Sequence, residues 1–253
     1  MRFQNKVVVA TGAAGGLGRA AARLFAGEGA VLVLIDKDER GLQEIAGELT
    51  QSGATVSCVS GDVSKAAVAD EAMRVAVNDC GRIDVLFNNA GINPVGNLVD
   101  TPEDVWDLTM AVNVKSAYLF TARAIPIMER TGGGVIVNTA SIASFKASTA
   151  EAAYSVSKAA LLQLTRVTAK DFAKRGIRAN AVCAGFLPKF MADRRASASE
   201  EQQLARSRRA ADLVPLGREG TYDEIAKLVA FLASDDSSYC TGIGLTADGG
   251  QTV

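Results

Sequence analysis

Short runs of apolar, mostly β-branched residues alternate with longer segments of helical periodicity along the 253-residue chain. The early runs, such as VLVLI at Val31–Ile35, are apolar without interruption, which is typical of parallel strands buried on both faces. This alternation constrains the fold strongly, because parallel neighbours need long crossover connections. Seven strands are predicted, at Val7–Ala10, Val31–Ile35, Thr55–Val59, Val85–Asn88, Gly134–Thr139, Arg178–Cys183 and Ile243–Thr246.

Helical patterns fill the intervals between these runs, as expected for crossovers that cover both faces of a parallel sheet. Six helices are predicted, at Leu17–Glu28, Asp38–Gly53, Ala66–Cys80, Pro102–Arg130, Ala152–Arg175 and Asp223–Ala233. No linker, low-complexity tract or internal repeat divides the chain. We therefore expect residues 1–253 to form one α/β domain with a doubly wound sheet, which binds ligands beyond the carboxyl ends of its strands.

One segment departs from the alternation. Residues 186–212 combine Pro188, the small residues of ASAS and a dense set of charges, between the sixth strand and the last helix. Long loops of this kind are usually lids or binding loops. The sequence therefore predicts a mobile substrate flap at about residues 186–212.

Composition narrows the classes of function and partner. The chain has 27 basic and 28 acidic residues, so there is no basic excess for nucleic-acid binding. No stretch approaches the roughly 18 apolar residues of a membrane span, and the N-terminus lacks the apolar core of a signal peptide. The four cysteines are scattered and histidine is absent. We expect buried, reduced thiols in a cytoplasmic protein that has no metal site.

A glycine-rich turn follows the first predicted strand and opens the first predicted helix. It reads TGAAGGLG, with glycines at Gly12, Gly16 and Gly18. These glycines let the backbone turn tightly and approach a diphosphate, to which the helix N-terminus around Leu17 offers free N–H groups. A purely structural turn is the alternative. The position between strand and helix favours a dinucleotide site.

Asp36 ends the second predicted strand, eighteen residues after Gly18. A carboxylate there accepts hydrogen bonds from an adenosine ribose with free hydroxyls and repels a 2′-phosphate. Position 15 is glycine rather than a basic residue, and Lys37 is the only base close by. These features favour NAD over NADP. The alternative role of Asp36 is that of an N-cap for the helix at Asp38.

These features resemble the short-chain dehydrogenase/reductase family when they are taken in order. The family motifs are the TGxxxGxG turn, the acid after the second strand, NNAG at Asn88–Gly91, and Ser141 thirteen residues before the YxxxK motif at Tyr154–Lys158. The resemblance extends to DGG at Asp248–Gly250 and covers residues 5–250. It implies a Rossmann-like fold with a seven-stranded parallel sheet flanked by helices on both faces, and a nicotinamide cofactor.

The resemblance also implies the cofactor contacts. Asp62 would accept a hydrogen bond from the adenine amine and Val63 would offer its backbone. The turn after the fourth strand would pass beside the cofactor, although asparagines are also common in turns for purely structural reasons. The full set that the resemblance adds is Asp62, Val63, Asn89, Ala90, Gly91, Gly185 and Leu187.

Tyr154 and Lys158 lie four residues apart in a predicted helix, and such residues share one face. A phenol has a pKa of about 10 in model peptides, and a nearby ammonium favours the phenolate. We therefore expect Lys158 to lower the pKa of Tyr154, so that the phenol exchanges a proton with a carbinol oxygen in place of histidine. In the family this lysine also binds the nicotinamide ribose.

Two more residues complete a catalytic set by resemblance. Ser141 would hold the substrate oxygen and stabilise the charge that develops on it. Asn113 would lie at a bend of a long helix and hold a water that links Lys158 to solvent. Taken alone, Ser141 is equally consistent with a cap at the end of a strand and Asn113 with an ordinary helix residue. Asn138 is a rival for the helper role.

The sequence departs from the family pattern after the sixth strand. Ala184 replaces the usual proline and Lys189 replaces a threonine that normally helps to seat the nicotinamide carboxamide and the diphosphate. The flap has six basic and four acidic residues, which fits either an anionic substrate or ordinary surface arginines. We expect the substrate to contact Ser141, Ala143, Glu151 and Phe186.

The sequence thus predicts an NAD(H)-dependent oxidoreductase acting on a secondary alcohol or ketone, such as a polyol, sugar or hydroxy acid. One alternative is an NADPH-dependent 3-oxoacyl ketoreductase, against which Asp36 and Gly15 argue. Another is a cofactor-binding protein without catalysis. The long helices carry apolar residues on more than one face, including Leu119 and Leu161, which by itself suggests only buried helices. The resemblance also implies a homotetramer, in which these helices would pack against partner subunits.

Overall fold

The computed structural model describes residues 1–188, 208 and 211–253. Its seven strands form one parallel sheet in the order β3-β2-β1-β4-β5-β6-β7. The strands are β1 Val7–Thr11, β2 Val31–Asp36, β3 Val56–Ser60, β4 Val85–Asn88, β5 Gly134–Thr139, β6 Ile177–Ala184 and β7 Gly244–Ala247. All seven lie within one or two residues of their predicted bounds.

Helices cover both faces of this sheet, which confirms the predicted α/β doubly wound fold. The helices are α1 Gly16–Gly27, α2 Glu39–Gln51, α3 Ala66–Cys80, α4 Glu103–Met110, α5 Ser116–Arg130, α6 Ala152–Phe172 and α7 Tyr222–Ala233. One apolar cluster packs α1, α2 and α7 against the sheet, and a second packs α3 and α5 against its other face. Among the described residues, no helix is long and apolar enough to cross a membrane.

The chain reverses its direction of winding at β1, which pairs with β2 on one side and with β4 on the other. Ligands of doubly wound sheets bind at such a switch point, beyond the carboxyl ends of the strands. The residues singled out in the sequence follow the ends of six neighbouring strands, from β3 across to β6. The topology therefore collects them along one edge of the sheet.

The predicted long helix Pro102–Arg130 is divided in the structure. A π-helical turn, Ala111–Lys115, separates α4 from α5 and contains Asn113, at the place where a bend was expected. π-turns inside helices are frequent at functional sites. Leu119 and Leu161 are buried in the core of this chain, as expected for buried helices.

Two further expectations concern the burial of the cysteines and the predicted flap. All four cysteines are free thiols, but only Cys183 is buried, whereas Cys58, Cys80 and Cys240 are half-buried. Most of the predicted flap, including Lys189, falls outside the described residues.

Candidate active site

The glycine turn is packed too tightly for larger residues at two positions. Gly12 has a positive φ of 66°, and a Cβ there would lie 2.9 Å from the backbone of Ala90. A Cβ on Gly18 would lie 2.0 Å from the carbonyl oxygen of Gly12. Helix α1 begins at Gly16, with Gly15 as an N-cap that has no side-chain hydrogen bond. The turn therefore leaves the helix N-terminus open toward a ligand.

Asp36 is held in place at the end of β2. Its Oδ2 accepts a hydrogen bond from Ala14 N at 2.9 Å, and its Oδ1 accepts one from Asp38 N at 3.0 Å. The N-cap of α2 is Asp38, which accepts from Gly41 N, so the capping role considered for Asp36 belongs to its neighbour. Asp36 is thus a half-buried carboxylate fixed beside the glycine turn.

The arginine nearest to this carboxylate is already engaged. Arg19 donates Nε to the Ala14 carbonyl and Nη2 to Gly41 O and Glu44. Asp62, after β3, accepts a hydrogen bond from Ser64 N at 2.9 Å, while Val63 is buried. Burial would raise the pKa of Asp62, but hydrogen bonds from Ser64, with smaller contributions from Lys65 and Lys37, outweigh it and lower the pKa. The carboxylates of Asp36 and Asp62 are thus both held in place on the ribose side of the site.

The turn after β4 is held by hydrogen bonds that sequence reasoning did not find. Thr11 Oγ1 accepts from the backbone N–H groups of Asn89 and Ala90, at 3.0 and 3.1 Å. Asn89 donates Nδ2 to Gly12 O at 3.1 Å, and its Oδ1 accepts from Thr139 Oγ1 at 3.1 Å. Thr11 and Thr139 are the last residues of β1 and β5, and only their position at strand ends could have marked them.

Lys158 lies at the centre of the candidate site and is buried. Its Nζ donates to the carbonyl oxygen of Thr139 at 2.6 Å and lies 5.6 Å from the centre of the Tyr154 ring. A Cβ on Gly91 would come within 3.4 Å of this ammonium, so the turn after β4 passes directly beside it. Burial lowers the pKa of Lys158 to about 8.

The pKa of Tyr154 shifts in the direction opposite to the one expected. Burial raises the pKa of the phenol, and the nearby carboxylate of Glu151 and Cys183 add to this, while a hydrogen bond to Ser141 opposes it. Desolvation of the phenolate is the largest cause and decides the direction of the shift. The chain alone therefore does not bring the phenol toward neutral pH.

Ser141 follows β5 and caps the turn after it, which is one of the two roles considered for it. Its Oγ accepts from Ala143 N at 3.1 Å and caps the short 3₁₀ turn Ile142–Ser144. The same side chain hydrogen-bonds to Tyr154. Ala143 is buried in this turn, and Ser144 donates Oγ to the carbonyl of Lys158 at 2.8 Å. The turn thus ties the end of β5 to α6.

Asn113 is buried in the π-helical turn, and its carboxamide is largely occupied. Its Oδ1 accepts from Ile92 N at 2.8 Å, and its Nδ2 donates to Ile92 O and to Ser157 Oγ, both at 2.9 Å. The water expected at Asn113 would have to bind a side chain that already makes these hydrogen bonds. The observed contacts fix the loop after β4 against α6.

Asn138, the rival helper residue, lies deeper in the sheet. It accepts from Asn88 Nδ2 at 2.9 Å and donates to Thr165 Oγ1 at 2.8 Å, and both asparagines are buried. These bonds join β4, β5 and α6 beneath the site. Asn138 therefore contributes to the scaffold and does not reach the Tyr154 phenol through any described contact.

The remaining predicted residues lie at the rim of the site. Gly185 follows β6 and donates N–H to Ala247 O at 3.1 Å, while Phe186 O accepts from Gly220 N at 2.9 Å. Phe186 and Leu187 are half-buried at the edge of the described chain. Glu151, one turn before Tyr154, is also half-buried. The structure thus brings all the predicted site residues to one end of the sheet.

The residues present fit a dinucleotide. The cradle between Gly12 and Gly18 is one that a Cβ would fill, the N-terminus of α1 is open, and Asp36 is oriented beside them. A tyrosine–lysine pair lies beyond the ends of the neighbouring strands. Such a cradle at the switch point of a doubly wound sheet defines a Rossmann-like, dinucleotide-dependent class of enzyme.

Comparison with known proteins names the family within this class. Residues 12–252 match the model of a family described as enoyl-(acyl carrier protein) reductase. The chain is 36% identical to a 3-oxoacyl-(acyl-carrier-protein) reductase of Thermotoga maritima, with both proteins covered completely. It is also 36% identical to meso-2,3-butanediol dehydrogenase of Serratia marcescens, over 100% of this chain and 97% of that one.

A solved structure of L-sorbose reductase from Gluconobacter frateurii, complexed with NADPH and L-sorbose, superposes with a TM-score of 0.93 at 28% identity. The superposition covers 100% of this chain and 99% of that one. The chain belongs to the short-chain dehydrogenase/reductase family. It is an oxidoreductase that acts on alcohol or ketone groups with a nicotinamide cofactor.

Proposed function

We propose that this protein is an NAD(H)-dependent dehydrogenase of a small secondary alcohol or its ketone. The observation that carries the proposal is the clustering of Ser141, Tyr154 and Lys158 beside the turn after β4: Lys158 Nζ lies 5.6 Å from the centre of the Tyr154 ring, and Ser141 lies close enough to the phenol to lower its pKa. When bound, the nicotinamide ring supplies the hydride acceptor or donor.

The chain's own residues handle the proton and the oxygen. In the direction of oxidation, the phenolate of Tyr154 accepts the hydroxyl proton, and in reduction the phenol returns it. Ser141 donates a hydrogen bond to the substrate oxygen and so stabilises charge that develops there. Lys158, held on the Thr139 carbonyl, supplies positive charge beside the phenol and can bind a ribose hydroxyl. Asn113 keeps the loop after β4 in register with these groups.

Preference for NAD(H) is supported by the charges around the ribose side. Asp36 is fixed by two backbone N–H groups, and Arg19 is turned toward Gly41 and Glu44. Asp38 lies two residues after Asp36, and Asp62 lies two residues after Ser60, which pairs with Asp36 in the sheet. The Asp36 carboxylate would repel a 2′-phosphate. Arg19 is engaged with Gly41 and Glu44 and does not point toward such a phosphate in the described contacts.

An NADPH-dependent 3-oxoacyl reductase is the second candidate, and the 36% identity to a 3-oxoacyl-(acyl-carrier-protein) reductase favours it. A homotetramer is part of the proposal, because the family is oligomeric and α4, α5 and α6 expose apolar residues. A cytoplasmic location is proposed because all four cysteines are free.

The test is a set of initial rates with NAD and NADP over secondary alcohols, polyols, sugars and hydroxy acids, and with NADH and NADPH over a 3-oxoacyl thioester. We expect turnover with NAD, lost in Tyr154→Phe, which keeps the ring and removes the proton-transferring hydroxyl. Asp36→Ser should retain the fold and remove one charge repulsion against a 2′-phosphate. The ratio of the rate with NADP to the rate with NAD should therefore rise by about tenfold or more. Activity that survives in Tyr154→Phe would contradict the mechanism. A wild-type preference for NADPH and the thioester would select the second candidate.

A further inference from the structure

Glu151 is the carboxylate nearest to the proposed proton-transferring group, and the mechanism above does not use it. Its charge acts on the Tyr154 phenol, which also contacts Ser141 and lies near Cys183 on β6 and Lys158 on its own helix. One oxygen of this carboxylate, Oε1, accepts a hydrogen bond from Asn93 Nδ2 at 3.0 Å. The other oxygen accepts no hydrogen bond from the described residues.

The backbone around Glu151 is fixed on both sides. Gly96 donates N–H to Ala150 O at 2.8 Å and accepts from Ala152 N at 3.0 Å, so the loop after β4 pairs with the chain on either side of residue 151. The same loop is anchored at Ile92 by Asn113. Glu151 is therefore held by two connections to the scaffold, although it lies at the mouth of the site.

A fixed carboxylate with a free oxygen distinguishes among substrates by charge and hydrogen bonding. It accepts a hydrogen bond from a hydroxyl group strongly, because the acceptor is charged. It repels a second carboxylate at the same place, because like charges in a partly desolvated site raise each other's energy. A substrate with only alkyl groups beside its carbinol leaves this oxygen without a new partner.

We propose that Glu151, positioned by Asn93, binds a second hydroxyl of the substrate next to the reacting carbinol and selects neutral diols, polyols and hydroxyketones over hydroxy acids. This inference rests on the proposed function and refines its substrate class. It gives Glu151 the role of a substrate-binding residue that decides specificity.

The test compares three four-carbon substrates with the same reacting group: butane-2,3-diol, butan-2-ol and 2-hydroxybutanoate. We expect wild-type kcat/KM to be highest for the diol and lowest for the hydroxy acid. Glu151→Leu removes the charge and the acceptor, so it should lower the preference for diol over butan-2-ol by about tenfold or more. Glu151→Gln keeps an acceptor and should give a smaller loss, while both variants should accept 2-hydroxybutanoate better than the wild type does.

The control is Glu103→Gln, which removes an exposed carboxylate from the first turn of α4 and should leave all three ratios unchanged. Binding is measured independently of turnover in the Tyr154→Phe background with NADH present. There, 3-hydroxybutan-2-one should bind more tightly than butan-2-one, and Glu151→Leu should abolish the difference.

Two results would overturn the inference while leaving the proposed function intact. They are an unchanged diol preference in Glu151→Leu, and wild-type preference for 2-hydroxybutanoate over the diol. If no secondary alcohol shows turnover that depends on Tyr154, the proposed function itself fails, and the inference fails with it.

Discussion

At the residue scale, the ammonium of Lys158 is the most unusual group in the site. It is buried, donates to one carbonyl, and forms no ion pair with a carboxylate in the described part of the chain. Burial costs free energy for the charged form, which is why its pKa falls to about 8. The site therefore keeps a charged lysine at neutral pH at the expense of stability.

This cost predicts a pH dependence of stability. The folded protein releases the Lys158 proton near pH 8 and the unfolded chain near the ordinary lysine pKa of 10.5, so the unfolded state binds more protons in between. Stability therefore rises with pH across this window, and the wild type should gain ~2 kcal/mol relative to Lys158→Met between pH 7 and pH 10. Denaturant midpoints of the cofactor-free proteins measure this difference.

The matched control for Lys158→Met is Lys170→Met, at an exposed position in the last turn of the same helix. Lys170→Met should follow the wild type at every pH. If the wild type and Lys158→Met also remain parallel, burial of the Lys158 charge is not the source of the shift.

At the element scale, the π-helical turn Ala111–Lys115 decides how the loop after β4 is held. The extra residue of the π-turn orients Asn113 so that its side chain hydrogen-bonds to Ile92 and Ser157. These two residues lie 21 and 44 positions from Asn113 in the chain. The sequence predicted one long helix through these residues, and the resemblance placed a bend at Asn113. The π-turn interrupts the regular α-helical hydrogen bonds and places the side chain of Asn113 where it anchors the loop after β4.

The Asn113 anchor predicts a difference between two substitutions. Asn113→Asp keeps the acceptor for Ile92 N, whereas Asn113→Ala removes it and leaves the buried N–H without a partner. Asn113→Ala should therefore lose about 1–3 kcal/mol of stability. It should also lose hydrogen-exchange protection at Ile92, which Asn113→Asp should retain.

Asn78→Ala, at an exposed position in α3, is the control for this experiment and should alter neither stability nor exchange at Ile92. Equal protection at Ile92 in Asn113→Ala and the wild type would show that the loop is held by other contacts.

At the scale of the whole molecule, the exposed apolar residues indicate where copies of the chain would meet. Leu108 on α4, Tyr118 on α5 and Val167 on α6 are each about half exposed, at 51%, 55% and 47%. Apolar side chains left on neighbouring helices are commonly covered by partners. The assignment of residues 1–253 to one domain also stays a prediction at this scale.

A homotetramer has a definite mass. Four chains of 26.3 kDa give about 105 kDa, which light scattering on a sizing column should report. Tyr118→Asp should reduce this mass, because a charge buried at an interface is costly. Val77→Asp, at a partly exposed position on α3, should leave it unchanged. A wild-type mass near 26.3 kDa would contradict the proposal.

The alternation of apolar runs and helical periods determined the doubly wound sheet by itself, because local periodicity fixes which faces must be buried. The sequence also predicted the candidate site residues of the glycine turn, Asp36, and the set of Ser141, Tyr154 and Lys158, because their spacing in the chain matches known motifs. Tertiary structure alone decided that Thr139 holds both Lys158 and Asn89, and that the pKa of Tyr154 rises. It also decided that Glu151 is tied to the loop after β4. These features depend on burial and on contacts between residues 19 to 58 positions apart, which no local pattern records.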